Sequence, residues 1–128
     1  MSTKYASIDI GLKRIGVAIC LQEGIVTPNP AILRKNRNQA SKDVDLFLKE
    51  WEIDVLVVGY PKSSEDMKKR ISHFVTLLDF QGEIKFQDED MSSIEAEDLI
   101  KGEIKYKRDG RIDSLAAKII LERYLNNL

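Results

Sequence analysis

The run Asp54-Val55-Leu56-Val57-Val58-Gly59 constrains this chain more than any other feature. A continuous apolar and β-branched segment of that length is the signature of a strand covered on both faces in a parallel sheet. Parallel neighbours must be joined by crossover helices, and the flanking sequence supplies candidates. Upstream, Ala40, Val44, Phe47, Leu48 and Trp51 recur at the three-and-four spacing of an amphipathic helix. Downstream, Ser63 or Ser64 can cap a second helix with the stripe Met67, Ile71, Phe74, Val75 and Leu78. Ile84 and Phe86 then alternate with Lys85 and Gln87, the pattern of a half-exposed strand.

Before this alternation, Lys4 to Leu33 is strand-like throughout. Its apolar runs Ala6 to Ile10, Ile15 to Leu21 and Ala31 to Leu33 are broken by Gly11, Gly24, Pro28 and Pro30. Short connections between them predict an antiparallel meander. After the last strand, Ser92-Ser93-Ile94-Glu95 has the form of a capping box opening a short helix to about Ile100, and a final helix is expected from about Ile112 to Tyr124. The expected fold is α/β: a mixed five-stranded sheet, three antiparallel strands and then parallel ones, with helices on both faces. At 128 residues, one domain over 1–128 is expected.

Several function classes drop out. The apolar run near the start is interrupted by Asp9, unlike a signal peptide, and no segment approaches the roughly 20 apolar residues of a membrane span. A cytoplasmic protein without a membrane partner is expected. Cys20 stands alone in an apolar run, so it reads as a small buried hydrophobe. The one histidine, His73, sits beside the stripe of the second helix as a partly exposed structural residue, so neither a zinc cluster nor a Ser-His-Asp triad fits.

Charge is informative in its distribution. The net value of −1 does not mark a nucleic-acid binder. Yet Asp88 to Asp98 holds six acids and no base, and Lys101 to Arg111, with Lys107, Arg108 and Arg111 at its end, holds five bases and two acids. A metal site flanked by a phosphate-binding surface has that form, as do two solvated faces.

Three groups of carboxylates could carry chemistry. Asp9 lies near the end of the first strand among apolar neighbours, where a charge is costly unless a cation or hydrogen bonds compensate it. A turn residue bonding the backbone around Gly11 accounts for it equally. Asp88-Glu89-Asp90 ends the last strand. Alternation puts Asp88 on one face and Glu89 on the other, and spacing alone does not choose between them. Asp113 falls near Ala116, Ala117 and Ile120 on the helical wheel and so toward the sheet, unless it is only the helix cap. Carboxylates at the ends of a first strand, a last strand and a final helix could meet at one sheet edge. Such an oxygen-rich set suits Mg²⁺ or Mn²⁺, and two ions about 4 Å apart would serve phosphodiester hydrolysis.

At this point the residues resemble a known family. Ile8-Asp9-Ile10-Gly11-Leu12-Lys13-Arg14-Ile15-Gly16-Val17-Ala18 closely resembles the opening motif of the YqgF family, RNase H-like proteins described as Holliday-junction-resolvase-like and as pre-16S rRNA nucleases. Val57-Val58-Gly59-Tyr60-Pro61, Asp88-Glu89 with Ser92-Ser93-Ile94-Glu95-Ala96, and Asp113-Ser114 with Ala116-Ala117 and Ile120-Leu121 agree in order, so the resemblance spans essentially the whole chain. It implies that Asp9, Asp88, Glu89 and Asp113 are the catalytic, metal-binding acids and that Lys13 and Arg14 face phosphate. Two departures stand out: Asp90 replaces the family's usual arginine after the acidic pair, and the loop after Pro61 lacks the longer glycine-containing stretch. They bear on substrate preference and leave the acids in place.

The expected function is therefore a metal-dependent nuclease that processes the 5′ end of pre-16S rRNA in ribosome biogenesis. A resolvase of branched DNA is the first alternative and a non-catalytic nucleic-acid-binding module the second. Asp-x-Gly followed by Gly-x-Ala also resembles the first phosphate loop of actin-like and sugar-kinase ATPases, but no second phosphate loop follows. Spacing leaves monomer and homodimer both open.

Overall fold

The computed structural model of the chain describes residues 3–22, 24–88 and 111–128. Five strands, β1 (Tyr5–Ile10), β2 (Arg14–Gln22), β3 (Ile25–Leu33), β4 (Val55–Tyr60) and β5 (Glu83–Asp88), form one sheet in the order β3-β2-β1-β4-β5. β1, β2 and β3 pair antiparallel, whereas β4 pairs parallel with both β1 and β5, giving the mixed sheet that the hydrophobic pattern predicts.

Two helices, α1 (Arg37–Glu50) and α2 (Glu65–Thr76), connect the parallel strands. Asn36 caps α1 in a reciprocal capping box with Gln39, and the Ser64 hydroxyl accepts the Met67 N–H at the start of α2. Their apolar stripes bury Ala40, Val44, Leu48, Ile71 and Phe74 against Ala6, Ile8, Ile10, Leu56 and Val58. Met67, expected in the stripe of α2, is 40% exposed instead, because it lies in the first turn before the helix meets the sheet.

The other face is covered by α3 (Arg111–Asn126), whose Ile120 and Leu121 pack with Cys20 and Val57. Burying β4 between the two apolar clusters leaves Leu56, Val57 and Val58 fully covered, so the unbroken apolar run follows from helices on both faces.

β3 is longer than its apolar run Ala31 to Leu33 suggests and carries Pro28 and Pro30. It is an edge strand, where a residue without an N–H costs no ladder bond on the open side, and its register against β2 shifts between Ile15 and Val17. The short helix expected from Ser92 to about Ile100 lies outside the described residues.

Candidate active site at the carboxyl edge of the parallel strands

β1, β4 and β5 run parallel, so their carboxyl ends share one edge of the sheet, and Asp9, Tyr60 and Asp88 all stand there. Clefts outside the carboxyl ends of parallel strands are where ligands bind in open α/β sheets.

Asp9 is half-buried, one residue before the end of β1, and pairs with Gly16 on β2. Strand alternation gives it the same face as Ser7, the face that α3 covers. α3 is drawn onto that face by two buried hydroxyls. Ser7 donates to the Ala117 carbonyl oxygen at 2.6 Å, and Ser114 donates to the carbonyl oxygen of Asn29 on β3. The start of α3 consequently lies directly on Gly16, where a Cβ would overlap the main-chain carbonyl of Asp113. Gly16 is thus the shared neighbour of Asp9 and Asp113, two carboxylates 104 positions apart by their numbers (113 minus 9).

Asp113 sits in the first turn of α3, two residues after its start, and is not the helix cap. A carboxylate there is favoured by the helix dipole. Arg14, on the same face of β2, donates from Nε to Asp113 Oδ2 at 3.0 Å, with both side chains about one-third exposed (28% and 32%). Arg14, close to Asp9 in sequence, therefore touches Asp113 in space.

Lys13 is exposed at the β1–β2 turn. That turn is closed by the Gly11 N–H donating to the Arg14 carbonyl oxygen at 3.0 Å. It is also held from outside by Arg34. Arg34 Nη1 donates to the Gly11 carbonyl oxygen at 2.8 Å, its N–H donates to the Lys13 carbonyl oxygen at 2.9 Å, and its guanidinium lies 5.5 Å from the centre of the Phe74 ring. Sequence reasoning gives no role to Arg34, Ser7 or Ser114, although Ser114 stands in the Asp113-Ser114 stretch of the family resemblance. For Arg34 the available signal is its position immediately after an expected strand.

Asp88 pairs with Tyr60, and alternation places it on the face of Phe86, whose ring meets Tyr60 at 5.0 Å. That is the face of α1 and α2, opposite to the face of Asp9. In the described residues Asp9 and Asp113 each neighbour Gly16, and Asp88 lies on the other side. Among the described residues no three His, Cys, Asp or Glu side chains are grouped as a metal would need. Glu89, Lys107 and Arg108 lie outside the described residues, and Arg111 is the first residue of α3. Cys20 is buried, as expected, and His73 is exposed on α2. No helix among the described residues is long and apolar enough to cross a membrane.

Comparison with known proteins bears on the family and the fold. The family model described as RuvX, Holliday junction resolvase, matches residues 3–127. A protein of Sulfurovum sp. (strain NBC37-1) named "Putative pre-16S rRNA nuclease" is 60% identical over 126 residues, covering 96% of this chain and 98% of that protein. A protein of the same name from Campylobacter lari is 48% identical over 94% of this chain and 96% of its own length. Among solved structures, the fowlpox virus Holliday junction resolvase superimposes with a TM-score of 0.60 at 16% identity, covering 98% of this chain and all (100%) of that one. RuvC of T. thermophilus in complex with a Holliday junction substrate gives a TM-score of 0.58 at 8% identity, over 98% of this chain and 96% of that one. With a resolvase-like, RNase H-like fold and near-full-length relatives at such identity, the chain belongs to the RuvX (YqgF) family.

Proposed function

We propose that this protein is a divalent-metal-dependent nuclease that hydrolyses phosphodiester bonds and acts in maturation of the 5′ end of pre-16S rRNA. The observation that carries the reading is that Asp9 and Asp113 both neighbour Gly16 at the carboxyl edge of the parallel strands. Its close relatives named for that activity supply the substrate class.

The donor set fits the metal. Half-buried carboxylates reached from solvent are hard oxygen ligands, the kind Mg²⁺ and Mn²⁺ prefer. Asp9 and Asp113 would hold the ions with one acid from the Asp88-Glu89 pair. We assign Glu89 to that place, since alternation gives Asp88 the opposite face. Bound there, two such ions supply an activated water and a stabilised leaving oxygen. Arg14 orients Asp113 through its 3.0 Å bond, and Lys13 offers an exposed cation to the phosphate backbone beside the cut. Lys107, Arg108 and Arg111 would extend that contact along the strand.

A second reading, a resolvase of branched DNA, draws on the family description and on the fold neighbours that are resolvases. A non-catalytic binding module is disfavoured by the retention of all the acid positions. The protein is taken to work in the cytoplasm, as a single domain, and as a monomer on rRNA or a homodimer on a two-fold junction. Labelled pre-16S leader RNA and a four-way DNA junction, each incubated with the protein and Mg²⁺ or Mn²⁺, separate the readings. Cleavage of the RNA is expected. Cleavage of the junction alone would promote the resolvase, and cleavage of neither by folded protein would promote the binding module.

A further inference from the structure

Between Ile10 and Lys42 the chain has six basic residues and a single acid, Glu23. Five of the six, Lys13, Arg14, Arg34, Lys35 and Arg37, fall in two short segments, the β1–β2 turn and the connection from β3 to α1. The fold joins these segments into one ledge. Arg14 pairs with Leu33 across the ladder, the Arg34 N–H bonds the Lys13 carbonyl oxygen, and the Arg34 guanidinium bonds the Gly11 carbonyl oxygen.

The cations on the ledge divide by role. Arg14 is engaged with Asp113, and Arg34 is half-buried over Phe74 as the clamp. Lys13, Lys35 and Arg37 are exposed, and none of them forms an ion pair among the described residues. The acid nearest in sequence to Lys35 and Arg37, Asp43, accepts from the Gln39 side chain. Part of the backbone at the start of α1 is also taken: Gln39 Oε1 accepts the Lys35 N–H at 2.8 Å, and Asn36 Oδ1 accepts the Gln39 N–H at 2.8 Å. An anion arriving here would meet side-chain cations, with the helix end already capped.

Like charges held together on a rigid ledge repel one another unless a polyanion is shared between them. The ledge begins at Arg14, in contact with Asp113, and leads away from the carboxylates over the turn. We infer that Lys35 and Arg37, with Lys13, form a phosphate track that carries the nucleic-acid strand away from the cut over the β1–β2 turn to the start of α1. The inference rests on the nuclease reading for the place of the cut. The track engages the phosphate backbone common to RNA and DNA and reads no base sequence.

The test is binding of the full-length protein to a labelled 20-nucleotide RNA and to a four-way DNA junction, in EDTA so that nothing is cut, across a range of salt. The Lys35→Ala/Arg37→Ala double variant is compared with wild type and with Lys49→Ala, which removes a cation at the far end of α1. Loss of two phosphate contacts should make the slope of log Kobs against log salt shallower by about 1.4 for the single strand, at about 0.7 per contact. Lys49→Ala should leave it unchanged. The RNA and junction arms tell which polymer uses the track. An unchanged slope in the double variant, an equal change in Lys49→Ala, or no binding by folded wild type would overturn the inference. Because the readout is metal-free binding, a failure of wild type to cleave any substrate would count against the nuclease reading and leave this result standing by itself.

Discussion

The main-chain carbonyl of Asp113 lies against Gly16 so closely that even a methyl group on Gly16 would occupy its space. Gly16 is also the ladder partner of Asp9, so one missing side chain sets how near the main chain of α3 comes to the strand pair that carries Asp9. Gly16→Ala should force the start of α3 off the sheet. A loss of about 1 to 3 kcal/mol is expected from overpacking, read by chemical denaturation. Nuclease activity should fall further than stability does, because the same shift moves Asp113 relative to the strand pair that carries Asp9.

Ser7 is the second anchor of that helix. It is fully buried, and its hydroxyl donates to the Ala117 carbonyl oxygen at 2.6 Å. Ser7→Ala removes one buried hydrogen bond and should cost about 1 kcal/mol in a denaturation experiment. The acceptor belongs to a helix, so loss of the hydroxyl does not leave a backbone group wholly unpaired, and a larger cost would contradict this account.

Asp88 is the last residue of β5. Phe86 and Asp88 share the face of Tyr60, opposite to that of Asp9. Glu89→Gln should lower kcat by about 100-fold or more, the scale on which groups aimed at transition-state charge are felt. Asp88→Asn should change it by less than about tenfold. The reverse ranking would put Asp88 in the metal set.

At the opposite end of the sheet from the carboxylates, Asp45 on α1 accepts the Asp79 N–H with both carboxylate oxygens, at 3.1 and 3.0 Å. Burial raises its pKa above the ordinary 3.8, the Asp79 N–H opposes that, and the Asp79 charge adds to it. With the folded value above the unfolded one, the native state holds the proton longer. Stability from this group is therefore full below the ordinary value and is lost as pH rises through the raised one. Asp45→Asn keeps an acceptor for the Asp79 N–H and removes the titration. The variant should lose the part of the pH dependence of stability that this group contributes as pH rises from about 4, as read by Tm across that range.

Much of this architecture was legible in the sequence because hydrophobic periodicity reports burial directly. The unbroken run Val55 to Val58 announced a strand between two helical layers, and the stripes of Ala40, Val44 and Leu48 and of Ile71 and Phe74 announced one of those layers. Pro28 and Pro30 shorten the β3 expected from sequence, because they look like strand breakers until the strand is known to be an edge. Asp9 and Asp113 could be named as candidates, but not their common contact with Gly16, since a close approach between segments so far apart leaves no local pattern. Arg34 and the two anchoring serines were missed for the same reason. Their partners Gly11, Ala117 and Asn29 are main-chain carbonyls, which any residue type provides.

The central claim is that Asp9 belongs to a metal-dependent phosphodiester-cleaving site. The direct measurement is cleavage of labelled pre-16S leader RNA by wild type and by Asp9→Asn at increasing Mg²⁺ or Mn²⁺, with Tm recorded on the same samples. Cleavage by wild type that depends on the metal and disappears in a folded Asp9→Asn, together with a metal-induced rise in Tm that the variant lacks, is the predicted result. Cleavage that survives in Asp9→Asn, or that proceeds undiminished in EDTA, would contradict it.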